Sequence, residues 1–142
     1  MTNAGPARIT VQRRVEWSDT DAAGHQHFTA VLRWVEEAEL LMHERLGIAE
    51  LTVGRCPRVR VEADFTRRLA PQQLVEVELS VAHVGRSSIS YRFEVSHCGE
   101  LAARGIVVAA LVAPGAGAVG WPEDARDTLL GGGAVRGEHY AS

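Results

Sequence analysis

The residues from Ser18 to Phe28 carry the side chains best suited to chemistry. The stretch reads Ser-Asp-Thr-Asp-Ala-Ala-Gly-His-Gln-His-Phe, so two carboxylates, two imidazoles and a glycine share one short connection. An alternating segment precedes it, and a long apolar segment with helical spacing follows. The start of a helix carries partial positive charge and amide groups that can bind an anion. The stretch is therefore a natural place to polarise a carbonyl group or to hold a negative charge.

A strand and a long helix must position this stretch. The alternation of apolar and polar residues over 9–17 predicts a half-buried strand, whose apolar face Arg13 interrupts. A helix is predicted over residues 28–46, because apolar residues recur there every three and four positions, and Gly47 is a suitable stop. A helix this apolar is expected to be wrapped by other elements.

The remainder of the chain reads mainly as strands. Alternating segments at 58–65, 75–81 and 89–95 predict three strands, with Gly85 marking one of the turns. The stretch 101–112 is almost continuously apolar or small, which predicts a central strand covered on both faces. The order strand, helix, four strands predicts an α+β fold, with a five-stranded, mostly antiparallel sheet curled around one buried helix.

The composition changes after Pro114. Glycines indicate a loop, residues 122–130 predict a short helix, and residues 131–142 resemble a flexible, disordered tail. A chain of 142 residues is most simply one domain. We therefore expect a single domain over 1–142, with its core at about 8–114.

Charge and composition exclude several classes of protein. The net charge of −3 argues against general nucleic-acid binding, which needs a clustered positive surface. Cys56 and Cys98 are too few for a disulfide framework and are expected to be reduced thiols. No stretch reaches the ~18 apolar residues of a membrane span, and the N-terminus lacks a signal-peptide pattern. A cytoplasmic protein is the expectation.

The run from Glu16 to His25, together with the run from Leu32 to Glu39, resembles the signature of the hotdog-fold acyl-CoA thioesterases. That signature reads approximately Asp-Thr-Asp-x-x-Gly, then an aromatic or His/Asn patch, then Trp-x-Glu-x-Ala. The chain most resembles the branch of 4-hydroxybenzoyl-CoA thioesterase, and the predicted strand order agrees over about residues 8–114. The resemblance implies a hotdog fold and hydrolysis of an aromatic or short-to-medium acyl-CoA thioester.

The resemblance also implies roles for individual residues. Asp21 matches the catalytic carboxylate, Gly24 the glycine that opens the turn, and the amide of Phe28 the group that binds the thioester oxygen. The family forms dimers, usually paired into tetramers, with active sites at subunit interfaces. It needs no metal, and coenzyme A enters only as part of the substrate, so no cofactor is expected. His27, Phe28 and Val31 replace an aromatic arrangement common after the turn, which bears on substrate preference.

Several roles are open for the polar residues of the stretch. Asp21 could attack the thioester, activate water as a general base, or merely form a turn or cap. His25 could orient the loop or contact the thioester, and we include it among the catalytic candidates. His27 could line the acyl pocket. The His-x-His spacing suits a metal, but no third ligand is evident nearby, so no metal site is predicted.

Further residues are candidates for binding the substrate. Arg86, Ser87 and Ser88 follow the Gly85 turn, where related enzymes often contact coenzyme A. Trp34 and Glu37 lie on the predicted helix, and Glu37 is also the alternative catalytic acid, because another hotdog branch uses a helix glutamate. Other arginines are alternatives for binding the phosphates of coenzyme A: Arg58, Arg60, Arg67 and Arg68. Two histidines that belong to no motif are expected at the surface: His43 and His83.

Three other functions compete with hydrolysis of an acyl-CoA. One is hydrolysis of an acyl carrier-protein thioester, which differs in the surface on which the partner docks. Another is a hotdog hydratase or dehydratase, although the Pro and Gly residues expected after His27-Phe28 are missing. The third is a non-catalytic acyl-binding protein, against which the presence of Asp21 and Gly24 argues.

Overall fold

A five-stranded antiparallel sheet and one long helix dominate the computed structural model, which describes residues 4–140. The strands lie in the order β1-β3-β4-β5-β2, so β4 is the central strand. The strands are β1 Arg8–Arg14, β2 Arg58–Phe65, β3 Leu74–Val84, β4 Ser88–His97 and β5 Glu100–Ala110; a small hairpin pairs β6 Val112–Ala113 with β7 Gly117–Ala118. The helices are a 3-10 turn Trp17–Asp19, α1 Phe28–Leu46, α2 Ala49–Thr52 and α3 Glu123–Gly131.

Helix α1 has the bounds that the sequence predicts. It ends where Gly47 adopts a left-handed conformation with φ of 76°, and the Gly47 amide donates to the Glu44 carbonyl at 3.1 Å. Glycine adopts this conformation without the penalty that a Cβ atom brings. The buried side of α1 packs on the sheet through apolar side chains: Ala30, Val31, Trp34, Val35, Ala38 and Met42.

The strand alternation places one face of the sheet in the core. Val75, Val77 and Leu79 of β3 are buried, as are Tyr91 and Phe93 of β4. The first strand is shorter than predicted: β1 ends at residue 14, and Trp17 lies in the 3-10 turn with 81% of its surface exposed.

Strand β5 differs from the prediction. It is the fourth strand of the sheet rather than the central one, and Ile106 on its outer side is exposed. Its run of small residues has a packing reason at Gly105, where a Cβ atom would lie 2.0 Å from the Glu62 carbonyl oxygen and 2.8 Å from the Phe93 ring. Close approach of the neighbouring strands therefore explains why residue 105 is a glycine.

The C-terminal segment is more ordered than the sequence suggests. Helix α3 buries Ala125 and Leu129 in the core, which therefore extends beyond residue 114. Residues 133–138 then run parallel to β1, and the Gln12 amide donates to the Glu138 carbonyl at 2.7 Å. The predicted flexible tail is thus an added edge segment, and its last two residues, 141 and 142, lie outside the described part.

No helix within residues 4–140 is long and apolar enough to cross a membrane.

Candidate active site

The loop of residues 20–26 is closed by its own backbone. The Asp21 amide donates to the His25 carbonyl at 2.9 Å, and the Gly24 amide donates to the Asp21 carbonyl at 3.0 Å. Gly24 has φ of 82°, a conformation that glycine adopts readily. An isolated bridge between Thr20 and Gln26 closes the base of the loop. The expected turn at Gly24 is therefore present, and it holds Asp21 at its start.

Asp21 is exposed, and its carboxylate forms an Asx turn. Its Oδ1 atom accepts a hydrogen bond from the Ala23 amide at 2.9 Å. This contact is the structural role that the sequence left open. An exposed carboxylate on a closed loop is also accessible to a substrate, so both roles are compatible with the geometry.

Asp19 anchors the loop to the rest of the molecule. It is only 3% exposed, its Oδ2 atom accepts from the Glu16 amide at 2.8 Å, and its Oδ1 atom contacts the Arg33 guanidinium. Its backbone carbonyl accepts a hydrogen bond from the His27 amide at 2.7 Å. Because buried carboxylates need such partners, Asp19 fixes the path between the 3-10 turn and α1.

His27 caps helix α1. Its Nδ1 atom accepts from the Thr29 amide at 3.2 Å, and its ring stacks on Phe28 with centroids 4.6 Å apart. With Nδ1 accepting, the neutral ring carries its proton on Nε2. The Phe28 amide lies in the first helical turn, where amides have no carbonyl partner within the helix. His25 is half-buried at the end of the closed loop.

The residues predicted to bind coenzyme A lie at the opposite end of the sheet. Arg14 at the end of β1 pairs with Leu74, whereas the turn that contains Arg86, Ser87 and Ser88 follows the other end of β3. Ten residue steps along β3 correspond to about 33 Å. Within one chain, these residues and Asp21 do not form one site, and their contact with coenzyme A stays a prediction.

Trp34 is placed differently from the prediction, whereas the roles predicted for Glu37 stay predictions. Trp34 is 1% exposed in the core, so its indole is shielded from a substrate by the chain itself. The Glu37 Oε1 atom lies 2.8 Å from Arg13 Nε, and its Oε2 atom lies 3.8 Å from Arg33 Nε. Arg13 interrupts the apolar face of β1 because it pairs with this carboxylate.

Three of the four alternative arginines are paired with carboxylates. Arg58 binds both oxygens of Glu39, at 3.0 and 2.5 Å. Burial lowers the pKa of Arg58, but the contact with Glu39 outweighs it, and the pKa lies above its usual value. The other two pairs lie at the surface: Arg60 with Glu62, and Arg67 with Glu100.

A polar cluster that the sequence does not reveal lies under the C-terminal half of α1. His43, expected at the surface, is 3% exposed; its Nδ1 lies 2.7 Å from Thr52 Oγ1 and its Nε2 lies 2.7 Å from the Tyr91 hydroxyl. Burial lowers the pKa of His43 and raises that of Tyr91. Burial also raises the pKa of the Cys56 thiol to about 11.

His43, Thr52 and Cys56 of this region line a groove. The groove has a volume of about 770 Å³ and lies between α1, the segment after α2 and the start of β2. Its lining includes Leu40, Val53 and Pro57 besides the polar residues Glu39 and His43. The spacing of four between Glu39 and His43, on the same side of α1, is the sequence signal that would have pointed to it.

Among residues 4–140, no group of three or more His, Cys, Asp or Glu side chains is arranged to hold a metal ion. His25 and His27 therefore have no third partner of these types in the described part of the chain.

Comparison with known proteins connects this fold and loop to one family. The family model of the thioesterase-like superfamily matches residues 15–129. The chain is 32% identical over 111 residues to a 1,4-dihydroxy-2-naphthoyl-CoA hydrolase of Parasynechococcus marenigrum, covering 70% of this chain and 73% of that protein. A second hydrolase of the same description, from Prochlorococcus marinus, is 29% identical over 104 residues, or 65% and 67% of the two chains.

Solved structures show the same fold. A Thermus thermophilus thioesterase complexed with coenzyme A and Zn has a TM-score of 0.78 and 27% identity, covering 90% of this chain and 94% of that one. A variant of 4-hydroxybenzoyl CoA thioesterase complexed with 4-hydroxybenzoyl CoA also has a TM-score of 0.78, with 20% identity over 86% and 98% of the two chains. The latter identity supports the likeness in fold alone.

The chain therefore belongs to the thioesterase-like superfamily and has the hotdog fold. The predicted enzyme class, an acyl-CoA thioesterase, is confirmed by these matches.

Proposed function

We propose that this enzyme hydrolyses an acyl-CoA thioester that carries an aromatic or short-to-medium acyl group, with Asp21 and the Phe28 amide as its catalytic groups. The observation that carries the proposal is the closed loop, which presents an exposed carboxylate and leads directly into the start of α1. A carboxylate and a helix N-terminus are the two groups that thioester hydrolysis needs.

The proposed reaction places each group in a defined role. The thioester oxygen accepts a hydrogen bond from the Phe28 amide, and the positive end of the α1 dipole stabilises the negative charge that develops on this oxygen. Single oxyanion donors of this kind contribute about 3 kcal/mol. Asp21 either attacks the carbonyl carbon, giving a mixed anhydride that water hydrolyses, or takes a proton from the attacking water. In both routes coenzyme A leaves as the thiol, the products are a free acid and coenzyme A, and no metal or further cofactor is required.

An aromatic acyl group is the favoured substrate class. The relatives reported above are hydrolases of 1,4-dihydroxy-2-naphthoyl-CoA, and the structural neighbour was solved with 4-hydroxybenzoyl CoA. The exposed Phe28 ring, stacked with His27 at the helix start, offers a flat apolar surface there. The alternative, an acyl carrier-protein thioester, would use the same catalytic groups but a different docking surface.

A homodimer would complete the site. Within residues 4–140, strand β2 is bonded along one edge only, to β5, and Val59, Val61 and Phe65 are exposed on one of its faces. Antiparallel pairing of β2 with a second copy sets the Phe65 end of one chain beside the Arg58 end of the other. In each copy, the turn of residues 86–88 lies at the Arg58 end of the sheet. The pairing therefore brings the partner's turn to the Phe65 end of the first copy. Two copies could thus combine the residues that one chain keeps apart, and such dimers can pair further into tetramers.

The decisive test measures release of free thiol from a panel of aromatic and aliphatic acyl-CoAs. We expect Asp21→Asn to lower kcat/KM at least about 100-fold, because it removes the carboxylate that attacks or activates water. Asp127→Asn is the matched control, since Asp127 is an exposed carboxylate on α3.

Three outcomes separate the parts of the proposal. Equal rates for the natural protein and Asp21→Asn would remove Asp21 from the mechanism. Hydrolysis confined to acyl carrier-protein thioesters would favour the alternative substrate. If the natural protein hydrolyses neither class of thioester, the catalytic proposal fails.

A further inference from the structure

Five charged side chains form a continuous series of ion pairs that links the C-terminal segment to the proposed active-site loop. We name it the ion-pair chain, and its members in order are Glu138, Arg13, Glu37, Arg33 and Asp19. Arg13 Nη1 lies 2.8 Å from Glu138 Oε1, and Arg13 Nε lies 2.8 Å from Glu37 Oε1. Arg33 Nε lies 3.8 Å from Glu37 Oε2, and Arg33 Nη2 contacts Asp19 Oδ1. Charges alternate in sign along its whole length.

The loop end of the ion-pair chain joins a buried carboxylate to an arginine whose side chain is 53% exposed. The Asp19 side chain is 2% exposed, and Arg33 is the cation that contacts it. The Asp19 side chain accepts a hydrogen bond from the Glu16 amide, and the Asp19 carbonyl accepts one from the His27 amide. A change in the position of Asp19 therefore moves both ends of the segment that contains Asp21, and it moves the cap of α1.

The middle of the ion-pair chain is held by Arg13. Its side chain is 17% exposed, and its Nη1 atom also donates to the Gln12 carbonyl at 2.9 Å. Burial lowers the pKa of Arg13, but the contacts with Glu37 and Glu138 outweigh it, and the pKa lies above its usual value. Arg13 thus remains charged and bridges α1 and the C-terminal segment.

The far end of the ion-pair chain lies on a segment that is fixed along β1. The Gln12 amide donates to the Glu138 carbonyl, and the Tyr140 amide donates to Gln12 Oε1 at 2.9 Å. The Arg14 guanidinium lies over the Tyr140 ring, 5.3 Å from its centroid. These contacts hold Glu138 beside Arg13 at the end of β1 from which the loop departs.

We propose that Arg33 is a positioning residue for thioester hydrolysis, and that Glu138 supports it through Arg13 and Glu37. The inference rests on the proposed function, since it assigns to the ion-pair chain the task of holding Asp21 and the Phe28 amide in register. It gives the C-terminal segment a role in the reaction although none of its residues is at the loop.

The expected effect of each substitution follows from how deeply the affected carboxylate is buried. Removing the partner of a buried carboxylate has a large effect, whereas exposed pairs contribute little. We therefore expect Arg33→Gln to lower kcat tenfold or more, and Glu138→Gln to lower it about twofold. KM should change less than about twofold in both, because neither residue is proposed to touch the substrate. Arg33→Lys should restore part of kcat, since it keeps the charge but loses the planar fork.

A double-variant cycle distinguishes positioning from general stabilisation. If Glu138 acts through Arg33, the variant carrying both Arg33→Gln and Glu138→Gln will have the kcat of Arg33→Gln alone. Glu44→Gln, an exposed glutamate on α1, is the matched control and should leave kcat unchanged. Multiplicative effects on kcat would overturn the proposed coupling, and an unchanged kcat in Arg33→Gln would overturn the positioning role.

A second measurement does not depend on turnover. Hydrogen exchange of the Asp21, Gly24 and His27 amides reports on the loop directly. We expect faster exchange of these amides in Glu138→Gln and Arg33→Gln than in Glu44→Gln, at equal global stability. Unchanged exchange would contradict the inference even if no acyl-CoA were hydrolysed, whereas an inactive natural protein with the expected exchange pattern would contradict only the proposed function.

Discussion

At the scale of single residues, burial determines the chemistry of His43. The imidazole lies between Thr52 and Tyr91 with both nitrogens hydrogen-bonded, and burial lowers its pKa below the usual 6.5. The Glu39 carboxylate opposes this shift and the Arg58 guanidinium adds to it. The folded protein therefore holds His43 in its neutral form at neutral pH.

This burial predicts a dependence of stability on pH. The unfolded chain binds a proton at His43 more readily than the folded chain, so the free energy of unfolding falls as pH falls below about 6.5. We expect His43→Gln to be about 1–3 kcal/mol less stable than the natural protein at pH 7.5, and the difference to shrink at pH 5. Urea denaturation at both pH values measures this.

His83→Gln is the control for this prediction, since His83 is exposed on β3. It should leave the stability difference between pH 7.5 and pH 5 unchanged. A stability difference for His43→Gln that is the same at both pH values would contradict the proposed neutral state.

At the scale of elements, one ion pair ties α1 to β2. Glu39 is buried on α1, and Arg58 at the start of β2 binds both of its oxygens. Both residues also line the groove. Because the pair joins α1 to the edge strand β2, we expect its loss to disturb the start of β2, where the proposed dimer interface begins.

Breaking this pair from one side should destabilise the fold strongly. Arg58→Met leaves the Glu39 carboxylate buried without its cation, and we expect a loss of about 3 kcal/mol in the free energy of unfolding. The variant that also carries Glu39→Met should recover at least half of that loss, because the unpaired charge is gone. Chemical denaturation of both variants tests this, and a double variant less stable than Arg58→Met would refute it.

The sequence predicts some elements closely because their signals are local. The bounds of α1 follow from apolar spacing and from Gly47, and the turn at Gly24 follows from its residue types. The surroundings of His43 could not be predicted, since its partners Thr52 and Tyr91 are 9 and 48 positions away. The edge segment of residues 133–138 has the composition of a flexible tail, and its order comes from hydrogen bonds to β1 that no local pattern reveals.

At the scale of the whole molecule, the two catalytic candidates and the predicted coenzyme A residues lie at opposite ends of the sheet. In the proposed dimer a second copy brings them together, and the exposed apolar face of β2 is the surface proposed for that pairing. Activity and assembly should therefore be linked.

A charge on β2 should separate the copies. We expect the natural protein to sediment as a dimer or larger, and Val61→Glu to sediment as a monomer with less than about a tenth of the activity, since a buried unpaired charge opposes association. Leu130→Glu is the matched control, because Leu130 on α3 is 37% exposed and Val61 is 42% exposed. An active monomeric natural protein would rule out the proposed assembly.

The segment of residues 133–138 makes the two edges of the sheet unequal. It lies along the outer edge of β1, whereas no strand within residues 4–140 pairs with the outer edge of β2. A sheet with two open edges can add copies indefinitely and grow into a fibre. With the β1 edge occupied, edge-to-edge pairing through β2 in the proposed dimer stops at two copies, and pairing of dimers into tetramers would use another surface. We therefore expect the C-terminal segment to prevent edge-to-edge polymerisation, and its removal to promote aggregation.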